Sequence, residues 1–205
     1  RYAKARLTEA AMFFHQGCIA EALDAWKPLE NEPAIAGDVA SAMVLHNIGR
    51  CYRNLEEFDL AADYFKRAIE RYERFGAAAE IIRTRWAIGQ METARGHFAE
   101  ALPILREAWH LFETLGIEGD AALAALEVVE VLLILDQPEE VPAICRALLD
   151  LFTRNGMTSR SATALAYLRE AVAMGKATPA LVRHVHDFIR DIPRHPARTY
   201  APPSF

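Results

Sequence analysis

The chain has 205 residues, of which 52% are hydrophobic and 25% charged, and its mean hydropathy is +0.01. This balance excludes a mostly disordered chain, because such chains are poor in apolar residues and heavily charged. The net charge of −5 argues against a whole surface built for nucleic acid or an anionic membrane. No apolar run is long enough to cross a bilayer. The 37 alanines predict helices packed closely on helices, since alanine favours helices and has little bulk.

The start of the chain and its cysteines bear on where the protein works. The segment after Arg1 has no signal-peptide pattern, and the lack of an initial Met indicates part of a longer protein. Cys18, Cys51 and Cys145 lie far apart and form no C-x-x-C pair. Sparse cysteines in an odd number are typical of reduced thiols, so we expect a cytoplasmic protein.

A 40-residue repeat runs through the middle of the chain. Gly76, Gly116 and Gly156 follow one another at this spacing, each at the end of a predicted helix. The same offset relates five further pairs: Gly49 and Gly89, Phe58 and Phe98, Ala61 and Ala101, Phe65 and Leu105, Ala68 and Ala108. Within a unit, apolar residues recur at helical spacing in two segments separated by a short turn. The sequence therefore predicts helix–turn–helix repeats.

These units resemble the tetratricopeptide repeat. Its consensus has a small residue and then an aromatic in helix A, followed by alanine, a bulky side chain and alanine in helix B. Five residues match that pattern in order: Gly49, Tyr52, Ala61, Phe65 and Ala68. The next unit departs from it, because Glu92 stands where the first aromatic belongs. The resemblance implies an all-α fold, a right-handed α-solenoid of stacked antiparallel helix pairs. The longer repeat is similar to that of the family's bacterial regulatory branch.

The repeats predict one continuous array over residues 1–192 rather than two domains. We expect its units at about 3–41, 42–81, 82–121 and 122–160, and a capping helix pair at 161–192. Thr178 and Pro179 mark the start of the last helix, as N-cap and first helical residue. The four prolines of residues 193–205 predict a loose C-terminal tail.

The sequence has no convincing catalytic or metal-binding pattern. It contains no HExxH, GxxxxGK[ST], GxGxxG or GxSxG motif. His184 and His186 are two residues apart, so they do not share a helix face as two metal ligands must. His15 and Cys18 flank Gly17, which ends a helix, and are interpreted as a turn residue and a core thiol. We therefore expect no enzyme activity, no metal and no cofactor.

The candidate binding site is the concave groove that A helices line in tetratricopeptide arrays. The resemblance places ten residues there: Met43, His46, Arg50, Arg53, Asn54, Arg83, Trp86, Gln90, Leu126 and Glu130. Further positions of the same groove are Thr93, Leu123 and Ile134. One end of this groove is basic in an otherwise acidic chain, because it holds His46, Arg50, Arg53 and Arg83.

Two interpretations of this basic end stay open. In the first, the arginines clamp carboxylates through paired hydrogen bonds and Trp86 is a buried anchor for a bound peptide. In the second, the arginines form a solvated face with acidic neighbours, and Trp86 fills space between repeats. The aliphatic positions near Leu126 are most simply explained by a last helix pair folding across them, although apolar grooves also bind partners.

The functional hypothesis is a non-catalytic scaffold that binds a protein or peptide, acidic where it meets the basic end. One alternative is a sensory or regulatory domain of a bacterial transcription regulator or anti-sigma-type protein whose output module lies upstream. Another is an accessory subunit of a multi-protein effector complex. We expect no direct contact with membrane or nucleic acid. The incomplete first repeat predicts a homodimer, or docking through the uncapped N-terminal end.

Overall fold

The computed structural model describes residues 2–154, 159–195 and 197–203. Across these residues the secondary structure is helical and contains no β-strand, which confirms the predicted all-α class. None of the described helices is both long and apolar enough to cross a membrane. The chain divides into two compact units, Arg1–Arg95 and Gly96–Phe205. The single array predicted over residues 1–192 stays a prediction.

The N-terminal unit is a run of helices in which each packs on the next. Its described α-helices are α1 (Tyr2–His15), α2 (Ile19–Trp26), α3 (Val39–Asn54), α4 (Phe58–Arg74) and α5 (Ala78–Ala94). Two 3-10 turns, Lys27–Leu29 and Pro33–Ile35, lie between α2 and α3. The short α2 gives way to the first of these turns at Pro28, which has no N–H to continue the α-helical hydrogen bonds.

The C-terminal unit begins with the same kind of helix pair and then departs from it. Its described helices are α6 (Phe98–Thr114), α7 (Glu118–Ile134), α8 (Val141–Arg154), α9 (Ser159–Ala173) and α10 (Pro179–Asp191), with a 3-10 turn at Pro138–Glu140. Helix α7 packs extensively on α6 and α10, and less on α8, which follows it in the chain. This differs from the pairing expected within a repeat at 122–160.

Five three-residue turns between helices share one conformation, and they recur every 20 residues. The middle residue of each has a positive φ: Glu56 (61°), Gly76 (63°), Gly96 (81°), Gly116 (67°) and Asp136 (57°). The left-handed residue closes the preceding helix and turns the chain back. The amide of the following residue then bonds to the helix, as Ala77 N does to Tyr72 O at 3.1 Å. The helix ends predicted at Gly76 and Gly116 are confirmed, whereas Gly156 lies outside the described residues.

Small residues bring the helices together. A Cβ at Gly49 would lie 2.8 Å from two ring carbons of Phe65, so only glycine permits this contact between α3 and α4. The alanines at the predicted contact positions are fully buried: Ala22, Ala61, Ala68, Ala101 and Ala108. Two repeat offsets after Gly49 stands Val129, which is buried on α7. A β-branched side chain does not allow the close approach that glycine does, which accounts for the weaker packing of α8 on α7.

The C-terminal tail is attached to the last two helices, so the prediction that it is loose is wrong for its described residues. The ring of Tyr200 lies 5.1 Å from Phe188, 5.5 Å from His184 and 5.9 Å from Tyr167, measured between centroids. The His184 imidazole Nε2 is 2.9 Å from the carbonyl oxygen of Ala201. One half-buried aromatic side chain, Tyr200, thus anchors an extended segment that has no secondary structure of its own.

Candidate functional site: a basic cluster on α3 and α5

Eight of the predicted groove residues fall on two helices of the N-terminal unit, α3 and α5. Met43 and Asn54 are exposed, and the other six are half-buried. Four of them are linked electrostatically, because the charges of three arginines lower the pKa of one histidine. We call these four the basic cluster: His46, Arg50, Arg53 and Arg83. The structure thus brings together, within one unit, the residues that the sequence assigns to the basic groove end.

His46 is held in place by a hydrogen-bonded relay to α5. The hydroxyl of Thr84 donates its proton to the carbonyl oxygen of Glu80 at 2.8 Å. The same hydroxyl oxygen lies 3.0 Å from Nδ1 of His46. A hydroxyl has one proton to give, so the imidazole must donate from Nδ1, and its Nε2 keeps a lone pair. We assign this tautomer from the hydrogen-bond network.

The electrostatics of the cluster keep His46 neutral. Burial lowers the pKa of His46, and the positive charges of the three arginines in the basic cluster lower it further, to about 3. At physiological pH the imidazole therefore adds no charge of its own.

Each arginine of the cluster is positioned by a different neighbour. Nη1 of Arg53 donates to the side-chain oxygen of Gln90 on α5. The guanidinium carbon of Arg50 lies 4.2 Å from the centroid of the Phe14 ring on α1, a cation–π distance. Arg83 forms an ion pair with Glu80 one turn earlier in α5, at 2.9 Å. Arg83 thus has the acidic neighbour of the second interpretation. Arg53 contacts the Gln90 amide, and Arg50 contacts the Asn47 side-chain oxygen at 3.4 Å as well as the ring.

The remaining groove residues of this unit have mixed roles. The amide Nδ2 of Asn54 donates to the carbonyl oxygen of Arg50 at 2.8 Å, which caps the end of α3. The hydroxyl of Thr93 donates to Gly89 O at 3.0 Å, within its own helix. Trp86 is half-buried, which suits both an anchor and a filler. Asn54 and Thr93 are therefore occupied by local structure.

Of the four groove residues predicted in the C-terminal unit, Leu123 and Ile134 are half-buried, whereas Leu126 and Glu130 are covered, which corrects the assignment of these two to an open groove. Leu126 has no exposed surface. Glu130 is 8% exposed, and its carboxylate accepts a hydrogen bond from Nε of Arg183 on α10 at 3.0 Å. The reason is that α10 packs on this face of α7, as the sequence suggested for the aliphatic positions.

Sequence reasoning missed three residues that shape the cluster. Thr84 orients the imidazole, Glu80 pairs with an arginine, and Phe14 lies beneath another. A signal for Thr84 exists, because it stands one repeat offset after Val44 and one before Ala124. All three are fully buried. A hydroxyl at a buried position of the repeat needs a hydrogen-bond partner, which points to the neighbouring helix. Phe14 gives no such signal, since it lies outside the repeats that match well.

The three cysteines are wholly or partly buried in the helical packing. Burial raises the pKa of both the Cys51 and Cys145 thiols to about 11, so both stay protonated at neutral pH and pack as small apolar side chains. Cys18 is half-buried beside the start of α2. Among the described residues no group of three or more His, Cys, Asp or Glu side chains is arranged to hold a metal ion.

Residues 40–113 match the family model described as tetratricopeptide repeat. The match runs from α3 to α6 and contains every residue on which the resemblance was based. This segment is therefore made of tetratricopeptide repeats, and the chain is a helical-repeat scaffold.

The structure is also similar to those of two solved repeat proteins. Against the apo form of RapI the TM-score is 0.65 at 15% identity, covering 91% of this chain and 53% of that one, so the chain spans about half the length of RapI. Against a Podosopora anserina putative kinesin light chain with nearly identical TPR-like repeats the TM-score is 0.63 at 10% identity, covering 94% and 96%. At such identities the likeness shows the fold alone. No curated protein matches the chain in sequence.

Proposed function

We propose that this chain is a non-catalytic scaffold that binds an acidic peptide segment at the basic cluster. The observation that carries the proposal is that three arginines lie near enough to the half-buried His46 for their charges to lower its pKa. Tetratricopeptide repeats in residues 40–113 supply the scaffold. Guanidinium groups recognise carboxylates through two parallel hydrogen bonds, which gives direction as well as attraction.

The contacts of the arginines support a preorganised site. The guanidinium carbon of Arg50 lies 4.2 Å from the centroid of the Phe14 ring, a cation–π contact that helps to hold the side chain in place. Arg53 is held across the two helices by Gln90. A side chain that is already placed loses less rotational freedom when a partner binds, so more of the interaction energy appears as affinity.

His46 complements the arginines because it offers an acceptor among donors. With Nδ1 bonded to Thr84, the free lone pair is on Nε2. A peptide presents both carboxylates and backbone N–H groups, and the cluster contains partners for both. In this proposal Nε2 of His46 accepts a hydrogen bond from a backbone N–H of the bound segment, and the arginines bind its carboxylates.

The test is a binding titration with the double variant Arg50→Ala, Arg53→Ala. The probe is a fluorescein-labelled octaglutamate, followed by anisotropy, with octalysine as the opposite-charge probe. We expect octaglutamate affinity to fall by about tenfold or more, since each lost charge-assisted hydrogen bond costs roughly 1.5–3 kcal/mol. Its salt dependence should also flatten.

The matched control is Arg74→Ala, which removes one exposed guanidinium at the end of α4. This variant should bind octaglutamate like the unchanged chain. Equal affinity in the Arg50→Ala, Arg53→Ala variant would remove the basis of the proposal.

Three narrower proposals accompany this one. A regulatory domain of a transcription regulator or anti-sigma-type protein requires an output module, which the full reading frame upstream of Arg1 would reveal. An accessory subunit of an effector complex requires a co-purifying catalytic chain. A homodimer, or docking through the N-terminal end, is tested by sedimentation of the chain at high concentration. The buried thiols Cys51 and Cys145 support a reducing compartment such as the cytoplasm.

A further inference from the structure

A cleft of about 610 Å³ lies in the C-terminal unit, on two helices that pack against each other, α8 and α9. Its volume is in the range of small-molecule sites, roughly 300–1,000 Å³. Six residues line it: Pro142 and Arg146 of α8, and Arg169, Glu170, Val172 and Ala173 of α9. It is separate from the basic cluster, which belongs to the N-terminal unit.

The residues of α8 form one wall of the cleft and those of α9 form the other. Pro142 and Arg146 are four residues apart on α8, so they lie on the same face. Arg169 has Val172 and Ala173 three and four residues later, which puts a guanidinium and an apolar surface side by side on α9. The cleft thus combines two positive charges and one carboxylate, Glu170, with an apolar floor.

The charges of the cleft are available to a ligand. In residues 2–154, 159–195 and 197–203, neither Arg146 nor Arg169 has a hydrogen-bond or ion-pair partner. Elsewhere in the unit such side chains are paired, for example Arg106, which donates to both carboxylate oxygens of Glu140 at 2.7 and 2.8 Å. Two unpaired arginines beside one pocket leave donors for a planar anion.

The backbone carbonyl groups in the last turn of α9 already accept hydrogen bonds, so they do not compete for the N–H donors of Arg146 and Arg169. Its last turn is closed by backbone hydrogen bonds, from Met174 N to Glu170 O at 3.0 Å and from Lys176 N to Ala171 O at 2.8 Å. Gly175 N likewise donates to Val172 O at 3.0 Å. These carbonyl oxygens are satisfied within the chain, so the wall presents the arginines and the apolar side chains.

We infer that this cleft binds an α-carboxylate that carries a neighbouring N–H and a small aliphatic side chain. Arg146 and Arg169 hold the carboxylate, and Glu170 accepts the N–H. Pro142, Val172 and Ala173 contact the aliphatic side chain. A peptide C-terminus and a free N-acyl amino acid share this chemistry. The net charge of the three ionic side chains, +1, complements a monoanion.

The experiment titrates the full chain with N-acetyl-L-leucine and with its uncharged amide, N-acetyl-L-leucinamide, by ligand-detected NMR or calorimetry. We expect saturable binding of the acid and at least about tenfold weaker binding of the amide. Arg146→Gln and Arg169→Gln should each weaken acid binding by about tenfold or more, the effect of one lost charged hydrogen bond. Arg74→Gln, at the end of α4 and outside both proposed sites, should leave acid binding unchanged.

Acetyl-Gly-Gly-Leu distinguishes the two sources of the ligand. Tighter binding than N-acetyl-L-leucine assigns the site to a peptide C-terminus, and weaker binding assigns it to a free acid. The inference is overturned if no saturation occurs, if the amide binds as well as the acid, or if inorganic phosphate binds equally tightly. It is also overturned if Arg74→Gln loses as much affinity as the cleft variants.

Discussion

Helices α3 and α7 occupy the same position in the repeat, but their groove-facing residues have opposite surroundings. His46 of α3 is half-buried among arginines, whereas Leu126, two repeat offsets later on α7, is fully buried. At the next turn Arg50 corresponds to Glu130, which is bonded to Arg183 of α10. The repeat therefore specifies the helices, while a segment outside the repeat decides whether their faces stay accessible.

The two regions also treat histidine in opposite ways. The surroundings of His46 lower its pKa to about 3. Burial alone would lower the pKa of His186 on α10 as well, but the carboxylates of Asp187 and Glu127 more than offset this effect and raise it to about 9. His186 lies 3.2 Å and 3.3 Å from those carboxylates. One imidazole is therefore neutral and the other cationic at pH 7.

Truncation of Leu126 should have the largest effect, because it removes a buried side chain from the covered face. Leu126→Ala should lower the free energy of unfolding by about 2–5 kcal/mol, the usual cost of a cavity of this kind. Met43→Ala, on the accessible face of α3, should change it by less than about 0.5 kcal/mol. Urea unfolding followed by circular dichroism measures both. Equal effects would contradict the contrast between the two faces.

The contact between α3 and α4 is tested by adding one methyl group. Gly49→Ala should destabilise the chain by about 1–3 kcal/mol, because its Cβ would meet the Phe65 ring at 2.8 Å. Gly119→Ala, near the start of α7, makes the same change where nothing lies within 4 Å. There alanine should stabilise by up to about 1 kcal/mol through its helix preference. Thermal melts of both variants would reveal opposite shifts, and a common sign would exclude this explanation.

The ion pair that joins α10 to α7 should contribute less. Arg183→Ala leaves the Glu130 carboxylate buried without this partner, and should cost about 1–2 kcal/mol, since the guanidinium itself is largely exposed. The double variant with Glu130→Gln should recover part of that loss. A double-mutant cycle measures the coupling, and a value near zero would mean that apolar packing alone holds α10 in place.

The two histidines predict pH effects of opposite sign. The unfolded pKa of histidine is about 6.5, above the folded pKa of His46 and below that of His186. The contribution of His46 to the free energy of unfolding is present above about pH 6.5 and is lost as the pH falls towards its folded pKa of about 3. That of His186 is present below about pH 6.5 and is lost as the pH rises through 9.

The free energy of unfolding between pH 4 and 9.5 measures both limbs, because the acid limb begins at about pH 6.5 and the alkaline limb extends to the folded pKa of His186, about 9. His46→Gln should flatten the acid limb and leave the alkaline one, and His186→Gln should do the reverse. If both variants altered the same limb, the opposite assignments of the two histidines would be wrong.

Much of the fold could be predicted from local pattern, and part of the site could not. Gly76 and Gly116 end helices because a left-handed residue is a local requirement, and Ala61 and Ala68 are buried because small residues recur at one helical spacing. The arginines of the basic cluster follow from the resemblance to the tetratricopeptide repeat, which assigns groove positions to the A helices. The pairing of Arg53 with Gln90, 37 residues away, depends on how two helices lie against each other.

The sequence by itself determined an all-helical repeat and its period, because both follow from spacing along one chain. The resemblance to the tetratricopeptide repeat then assigned the basic residues to the groove. Only the tertiary structure decided which helix faces are covered. It placed α10 beside α7, attached Tyr200 to the last two helices and set the tautomer of His46. These outcomes depend on contacts between segments far apart in sequence, where side-chain size and charge act across space and leave no local period to read.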